Sequence, residues 1–444
     1  MASKFTKIAA LLSATALTLT LSACGGSDNT AADDGKGKVY YLSFKPEQDE
    51  TWQKIAKAYT DETGVPVKVV TAASGTYEQT LKAEVTKKEA PTLFQINGPI
   101  GMQSWKDYTA DLSSTDFYNN LLDKSMAVGE DGKIYGVPYV VEGYGIIYNQ
   151  SILNKYFGLP GAKVTSMEEV KNFDTLKTLV EDMQAKKADL GIDGVFASTS
   201  LKPGEDWRWQ THLADLPVYF EYQDNDTEDM DELEFKYNKE YKNIFDLYLN
   251  NSTIAPTLAS SKAVTDSMAE FALGKAAMVQ NGNWAYGQIS EVAGNTVKAE
   301  DVKMLPIYTG KSGEETQGLN IGTENFFSIN SQASPADQKA SIDFVNWLIS
   351  SDAGKKYMVD ELGFIPPFST FSETEQPADP LAKEVVSYMS NSELKTIPWV
   401  FTTFPSQTFK DDFGQALSQY AAGQMKWDEV VEMFKTGWAA EKQS

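Results

Sequence analysis

A single cysteine, Cys24, serves the whole 444-residue chain, so no internal disulfide can form and the fold must be held by a packed apolar core. Its position narrows the choice further. Lys4 and Lys7 give a short positive start, Ile8 to Leu21 is apolar apart from Ser and Thr, and Leu21-Ser22-Ala23 lead directly to Cys24. A positive start, a short apolar run and small residues at its end mark an export signal over 1–23, and the run is too short for a comfortable membrane span. Residues 25–36 (GGSDNTAADDGK) carry no large apolar side chain. Such a segment buries too little surface to offset its ordering entropy, which predicts a tether over 24–37. The folded part then begins near Lys38. About 400 residues exceed what one core ordinarily serves, so two lobes are expected.

Charge and composition exclude more than they identify. A formal charge of −23 makes nucleic acid a poor partner, because phosphate backbones are bound by clustered Lys and Arg. His212 is the sole histidine, so no two-histidine metal motif exists. No stretch fits G-x-S-x-G, a P-loop or a full dinucleotide fingerprint. No catalytic residue, metal or cofactor is therefore expected. The rings point the other way: 9 Trp, 21 Tyr and 22 Phe are more than a demand for core alone. Sugar rings pack their apolar faces on aromatic planes while their rims hydrogen-bond to polar side chains, so the surplus suits a carbohydrate site.

Along the chain, Val39 to Phe44 reads as a buried strand, and Trp52, Ile55, Ala56 and Tyr59 give helical spacing up to Gly64. Val65 to Val70, a helix over Tyr77 to Lys88, and Leu93 to Ile96 continue the alternation, which predicts a parallel α/β sheet flanked by helices. Ligands in such sheets bind beyond the carboxyl ends of the strands. That places Lys45 and Glu47 after the first strand, Thr71 to Tyr77 after the second, and Gln95 and Asn97 after the third on one candidate rim. An extended run from Gly136 to Tyr148 surrounds Glu142-Gly143. Further helices are expected near 166–187, 240–250 and 267–273, and an acidic stretch at 223–234, without glycine and glutamate at the positions a calcium loop requires, reads as a solvated loop. Ser334-Pro335 opens a helix with Ser as N-cap and Asp337 in the first turn. Residues 352–362 form another, ended by Gly363. The tail is helical, anchored by Trp427, Phe434 and Trp438.

Two resemblances sharpen these expectations. Leu21-Ser-Ala-Cys24 resembles the lipobox of bacterial lipoproteins, which implies a lipid-modified Cys24 at the mature N-terminus. Four segments resemble the extracellular solute-binding proteins of sugar ABC transporters, the group that includes the maltose-binding proteins. They are Ile134-Tyr-Gly-Val-Pro138 leading to Ile147-Tyr-Asn149, Phe271-Ala-Leu-Gly-Lys-Ala-Ala-Met278 leading to Gly282-Asn-Trp284, Ser328-Ile-Asn330 before the Pro335 helix, and Gly363-Phe-Ile-Pro366. The resemblance implies a two-lobed α/β, periplasmic-binding-protein-like fold with the ligand in the cleft between lobes. Mapped onto this chain, lobe one is 38–144 plus 318–350 and lobe two is 145–317 plus 351–444. It also implies a protein on the extracytoplasmic face of the membrane, capturing a carbohydrate for ABC permease subunits and working as a monomer.

Candidate ligand residues follow from both sources. Trp284 resembles the family's stacking position, whereas a tryptophan ending a buried segment otherwise reads as core; Asn283 beside it can bond a hydroxyl. Glu142 follows the Tyr-Gly-Val-Pro run, where the family places polar contacts near the hinge, and can accept two hydroxyls or serve a hinge salt bridge. Tyr144 lies close by. Trp207, Arg208 and Trp209 form an aromatic-basic cluster in which at most one tryptophan faces the ligand if the stretch is extended. Glu324 and Asn325 precede the strand returning to lobe one; some family members carry a tryptophan there, and this chain does not. Trp399, after Pro398, completes the set. Other readings give the same fold a polyamine or peptide ligand, make it a surface adhesin gripping polymeric glycan, or pair Glu142 with Glu324 as the two carboxylates of a glycoside hydrolase.

Overall fold

The computed structural model describes residues 35–442 apart from 74 and 373. The export signal, the lipid-modified Cys24 and most of the tether expected from the sequence lie outside the described residues. In chain order the strands are Val39–Ser43 (β1), Val67–Thr71 (β2), Leu93–Ile96 (β3), Val128–Glu130 (β4), Lys133–Pro138 (β5), Glu142–Asn149 (β6), Gly194–Phe196 (β7), Ala276–Gly282 (β8), Val302–Leu305 (β9), Gln317–Gly322 (β10), Phe326–Ile329 (β11) and Lys395–Ile397 (β12). They form two six-stranded sheets, one ordered β2-β1-β3-β11-β5-β4, the other β12-β10-β6-β8-β7 with β9 also on β6.

Each sheet is apolar on both faces, and the period-two alternation of a strand decides which core a residue joins. In the first sheet Tyr41, Leu93 and Phe327 face one core with Trp52, Ile55 and Tyr59. Their neighbours Leu42, Phe94 and Phe326 face the other with Tyr77 and Leu81. In the second, Ile146 and Met278 point one way and Ile147 and Val279 the other. Double-sided burial explains why these strands read as continuous apolar runs.

The α/β character agrees with the sequence, but the first sheet is mixed. β1 runs parallel to β2 and β3, while β11 is antiparallel to β3 and β5. The reason is topological: β11 enters from the second sheet through 323–325 and so runs against the strands that helices feed. The second crossing, 139–141, joins β5 to β6. Two boundary expectations also change. β10, placed at 318 onward with lobe one, pairs with β6 and β12 in the second sheet. Residues 352–368, placed with lobe two, supply Met358, Leu362, Phe364 and Phe368 to the first core, because the helix after Ser350 turns back under the sheet it has just left. The lobes meet across the cleft. A Cβ built on Gly75 would sit 2.9 Å from the Gly204 carbonyl oxygen, so only glycine allows this approach.

Candidate functional site

Between the sheets lies a cavity of about 450 Å³, within the range of small-molecule sites. One wall is the rim expected at the carboxyl ends of β1, β2 and β3: Phe44, Lys45 and Glu47, then Ala73 and Tyr77, then Asn97. The opposite wall comes from the second lobe, with Trp207, Arg208, His212, Trp284, Phe401 and Lys410. Glu142 and Glu324, beside two of the crossings, line it as well.

Lys45 and Glu142 form the electrostatic centre. The Lys45 ammonium donates to Glu142 Oε1 at 2.8 Å and Oε2 at 3.1 Å, with both side chains buried. Asn325 Nδ2 donates to Glu142 Oε2 at 2.9 Å, and Glu47 stands 3.9 Å from the same ammonium. Burial opposes the charge on Lys45, but Glu142 and Glu47 outweigh it and hold the ammonium above its ordinary range. The ammonium also lies 5.8 Å from the centre of the Trp284 ring, joining the hinge charge to the aromatic wall.

That wall is one cluster. Trp207 and Trp284 form an open corner, with centroids 5.9 Å apart and planes at 45°. His212 stacks on Phe401 at 4.6 Å behind them. Burial and the nearby Arg208 hold His212 well below its ordinary value, so its ring is neutral. The Arg208 guanidinium sits 3.9 Å over Trp207, and burial lowers it to about 9. Arg208–Leu213 is a π-helical turn running into the helix Ala214–Asp224. Pro217 cannot donate to the Leu213 carbonyl as an α-helical residue would, and the widened turn sits just ahead of it.

The structure brings Trp284, Trp207, Glu142, Lys45, Glu47, Asn97 and Glu324 to the cavity. The other candidates lie behind it. Asn283 is spent on the sheet: its Oδ1 accepts from the Gly143 N–H at 2.9 Å and its own N–H donates to the Gly143 carbonyl. Gln95 is buried against the Phe44 N–H and the Tyr139 hydroxyl, fixing the end of β1. Asn325 reaches Glu142, not the cavity. Tyr144 donates to the His212 carbonyl at 2.8 Å from within the core. Trp209 donates to the Ser200 carbonyl at 3.0 Å and packs on Tyr248. In a helical turn, residues two apart point in nearly opposite directions, so Trp207 faces the cleft and Trp209 the core. Trp399 packs behind Trp284, so close to β10 that a Cβ on Gly322 would lie 2.6 Å from its Cγ.

Sequence reasoning missed Phe401, Lys410, Glu78 and the contribution of Arg208. Only the Trp-Arg-Trp cluster carried a signal. Phe401 and Lys410 come from a C-terminal stretch whose path to the cleft no local pattern reveals. In the acidic stretch 223–234, Asp229 holds Lys442 at 2.6 Å and Asp224 pairs with Lys236.

Comparisons with known proteins agree with this architecture. The family described as bacterial extracellular solute-binding protein matches residues 54–384, more than half the chain. The maltodextrin-binding protein MdxE of Bacillus subtilis is 30% identical over 146 residues, 32% of this chain and 34% of that protein. The maltooligosaccharide ABC transporter solute-binding lipoprotein of Streptococcus pneumoniae is 29% identical over 204 residues, 44% of each chain. This chain thus spans less than half the length of these curated relatives in the matched segments. A solved chitin oligosaccharide binding protein shares the fold at TM-score 0.71 and 18% identity, covering 92% of this chain and 99% of that one. With two α/β lobes, a cleft lined from both sides and a family model matched over most of its length, the chain belongs to the bacterial extracellular solute-binding protein family.

Proposed function

We propose that this chain captures a carbohydrate, an oligosaccharide of about two to five units, and delivers it to an ABC importer by cleft closure. The observation that carries this is the Trp207–Trp284 corner, open to a cavity whose remaining wall is rich in carboxylates, amides and cations. Aromatic planes take the apolar faces of sugar rings, and the polar groups take their hydroxyls. The names of the two curated relatives, for maltodextrin and for maltooligosaccharide, support the same ligand class. Closure follows from contacts to both lobes: a ligand that touches both walls favours the closed form by its differential affinity. Capture without turnover is supported by Glu142, whose carboxylate is already held by Lys45 and Asn325. The protein works as a monomer, anchored on the outer face of the cell membrane through lipid on Cys24.

The test is a thermal-shift screen of the purified protein against maltotriose, raffinose and chitotriose, with spermidine and a tripeptide as controls. A ligand at 100 times its Kd adds about 2.7 kcal/mol to stability. One sugar should raise the melting temperature, and Trp284→Ala should abolish the rise. A shift with spermidine or the tripeptide alone would reject the carbohydrate and keep the fold.

A further inference from the structure

Most charged groups in the cavity wall have partners within the protein. Glu142 holds Lys45 and Asn325, Glu78 accepts from Trp105 Nε1 at 2.9 Å, and Glu205 accepts from the Val264 N–H at 2.8 Å. Arg208 stacks on Trp207 and donates to the Glu205 carbonyl at 3.4 Å. Two groups differ. Glu324, in the crossing between β10 and β11, and Lys410, on the second-lobe helix Gln407–Ala421, both line the cavity. Neither side chain makes a hydrogen bond or ion pair among the described residues. They share the cavity without meeting: no hydrogen bond or ion pair joins them.

We propose that Lys410 and Glu324 together read adjacent hydroxyls of an uncharged sugar, Lys410 donating to one and Glu324 accepting from its neighbour. This rests on the carbohydrate reading above and names its chemistry. Both side chains are half-buried on the cleft wall, so each is open to a ligand that can take the place of water. A cationic ligand would satisfy Glu324 and repel Lys410, and an anionic one would do the reverse. A hydroxyl is both donor and acceptor, so a vicinal pair serves both ends at once. Burial acts on both groups in the direction of the neutral form, pushing Glu324 up to about 7 and holding Lys410 below its ordinary range.

A second consequence separates a ligand-reading pair from a structural one. Replacing either group by a neutral side chain breaks no hydrogen bond or ion pair within the described residues, so the sugar-free protein keeps its stability while binding weakens. The experiment is calorimetric titration of the protein, Glu324→Gln and Lys410→Met with maltotriose, raffinose and chitotriose, and with glucosamine and galacturonate trimers as charged counterparts. Urea unfolding without sugar accompanies it. The parent should bind a neutral sugar at least about 10-fold more tightly than either charged trimer, and each variant should weaken that binding about 10- to 100-fold. Each variant should unfold at the same urea concentration as the parent or higher. Parent-like affinity in both variants, preference for a charged trimer, or a clear loss of sugar-free stability would each overturn the assignment. If the parent binds a neutral sugar and the variants bind it equally well, this pair alone fails. If the parent binds none of the sugars, the carbohydrate reading falls and the pair with it.

Discussion

At the residue scale, Lys45 and Glu142 show how position in sequence and position in space part company. Lys45 is a candidate from its place after a strand and Glu142 from the family resemblance, yet they meet 97 residues apart, and no local pattern encodes that meeting. Breaking a buried pair by removing one partner costs about 3–5 kcal/mol, because the other charge is left buried and alone. Lys45→Met and Glu142→Leu should each lose about that much in urea unfolding without ligand, and the double variant should lose clearly less than their sum. An additive double variant would show the two to be independent. The tryptophans make the same point differently. Composition announced a surplus of rings, but Trp207 and Trp209 differ in role only because a helical turn sends them opposite ways.

Elements were more legible than residues. The helix Asp49–Thr63 buries Trp52, Ile55, Ala56 and Tyr59, the four positions its spacing marked. The helix Pro335–Ser350 begins where Ser334 and Pro335 predict, with Ser334 Oγ accepting from the Asp337 N–H at 3.2 Å. Ser334→Ala should therefore lower stability by about 1 kcal/mol, read as a shift in urea midpoint with an unchanged slope; no shift would mean that the cap contributes nothing. Elsewhere the start was misplaced. The helix expected from 166 begins at Phe173, because Asn172 caps it through the Thr175 N–H. Ser166 resembles a cap in sequence, yet its side chain caps no helix, and it precedes only the 3-10 turn Met167–Glu169.

For the whole molecule, burial raises several carboxyls together. Asp215 and Glu324 are pushed up to about 7, and Asp206 and Asp379 to about 6. In the unfolded chain such groups ionise near pH 4. Between about pH 4 and 7 the folded state holds protons that the unfolded state has released, so this stability is present at the acid end and lost as pH rises. Self-repulsion in a chain of formal charge −23 acts in the same direction. The melting temperature should fall by several degrees from pH 5 to pH 8, and Asp215→Asn should flatten the slope. A melting temperature that climbs over this interval would contradict the burial of these groups.

What the amino-acid order determined by itself is what depends on neighbours within a turn or two: strands from continuous apolar runs, helices from 3.6-residue spacing, and caps from Ser, Asn and Gly. The alternation of those elements also placed Lys45, Glu47 and Asn97 on a shared rim, since strand ends in such a sheet converge. The tertiary structure alone decided the rest. It assigned β10 to the second sheet and residues 352–368 to the first core, turned Trp399 and Tyr144 inward, and brought Phe401 and Lys410 to the cleft. Each of these depends on which surfaces meet when two lobes close on one another, and surfaces hundreds of residues apart share no local periodicity.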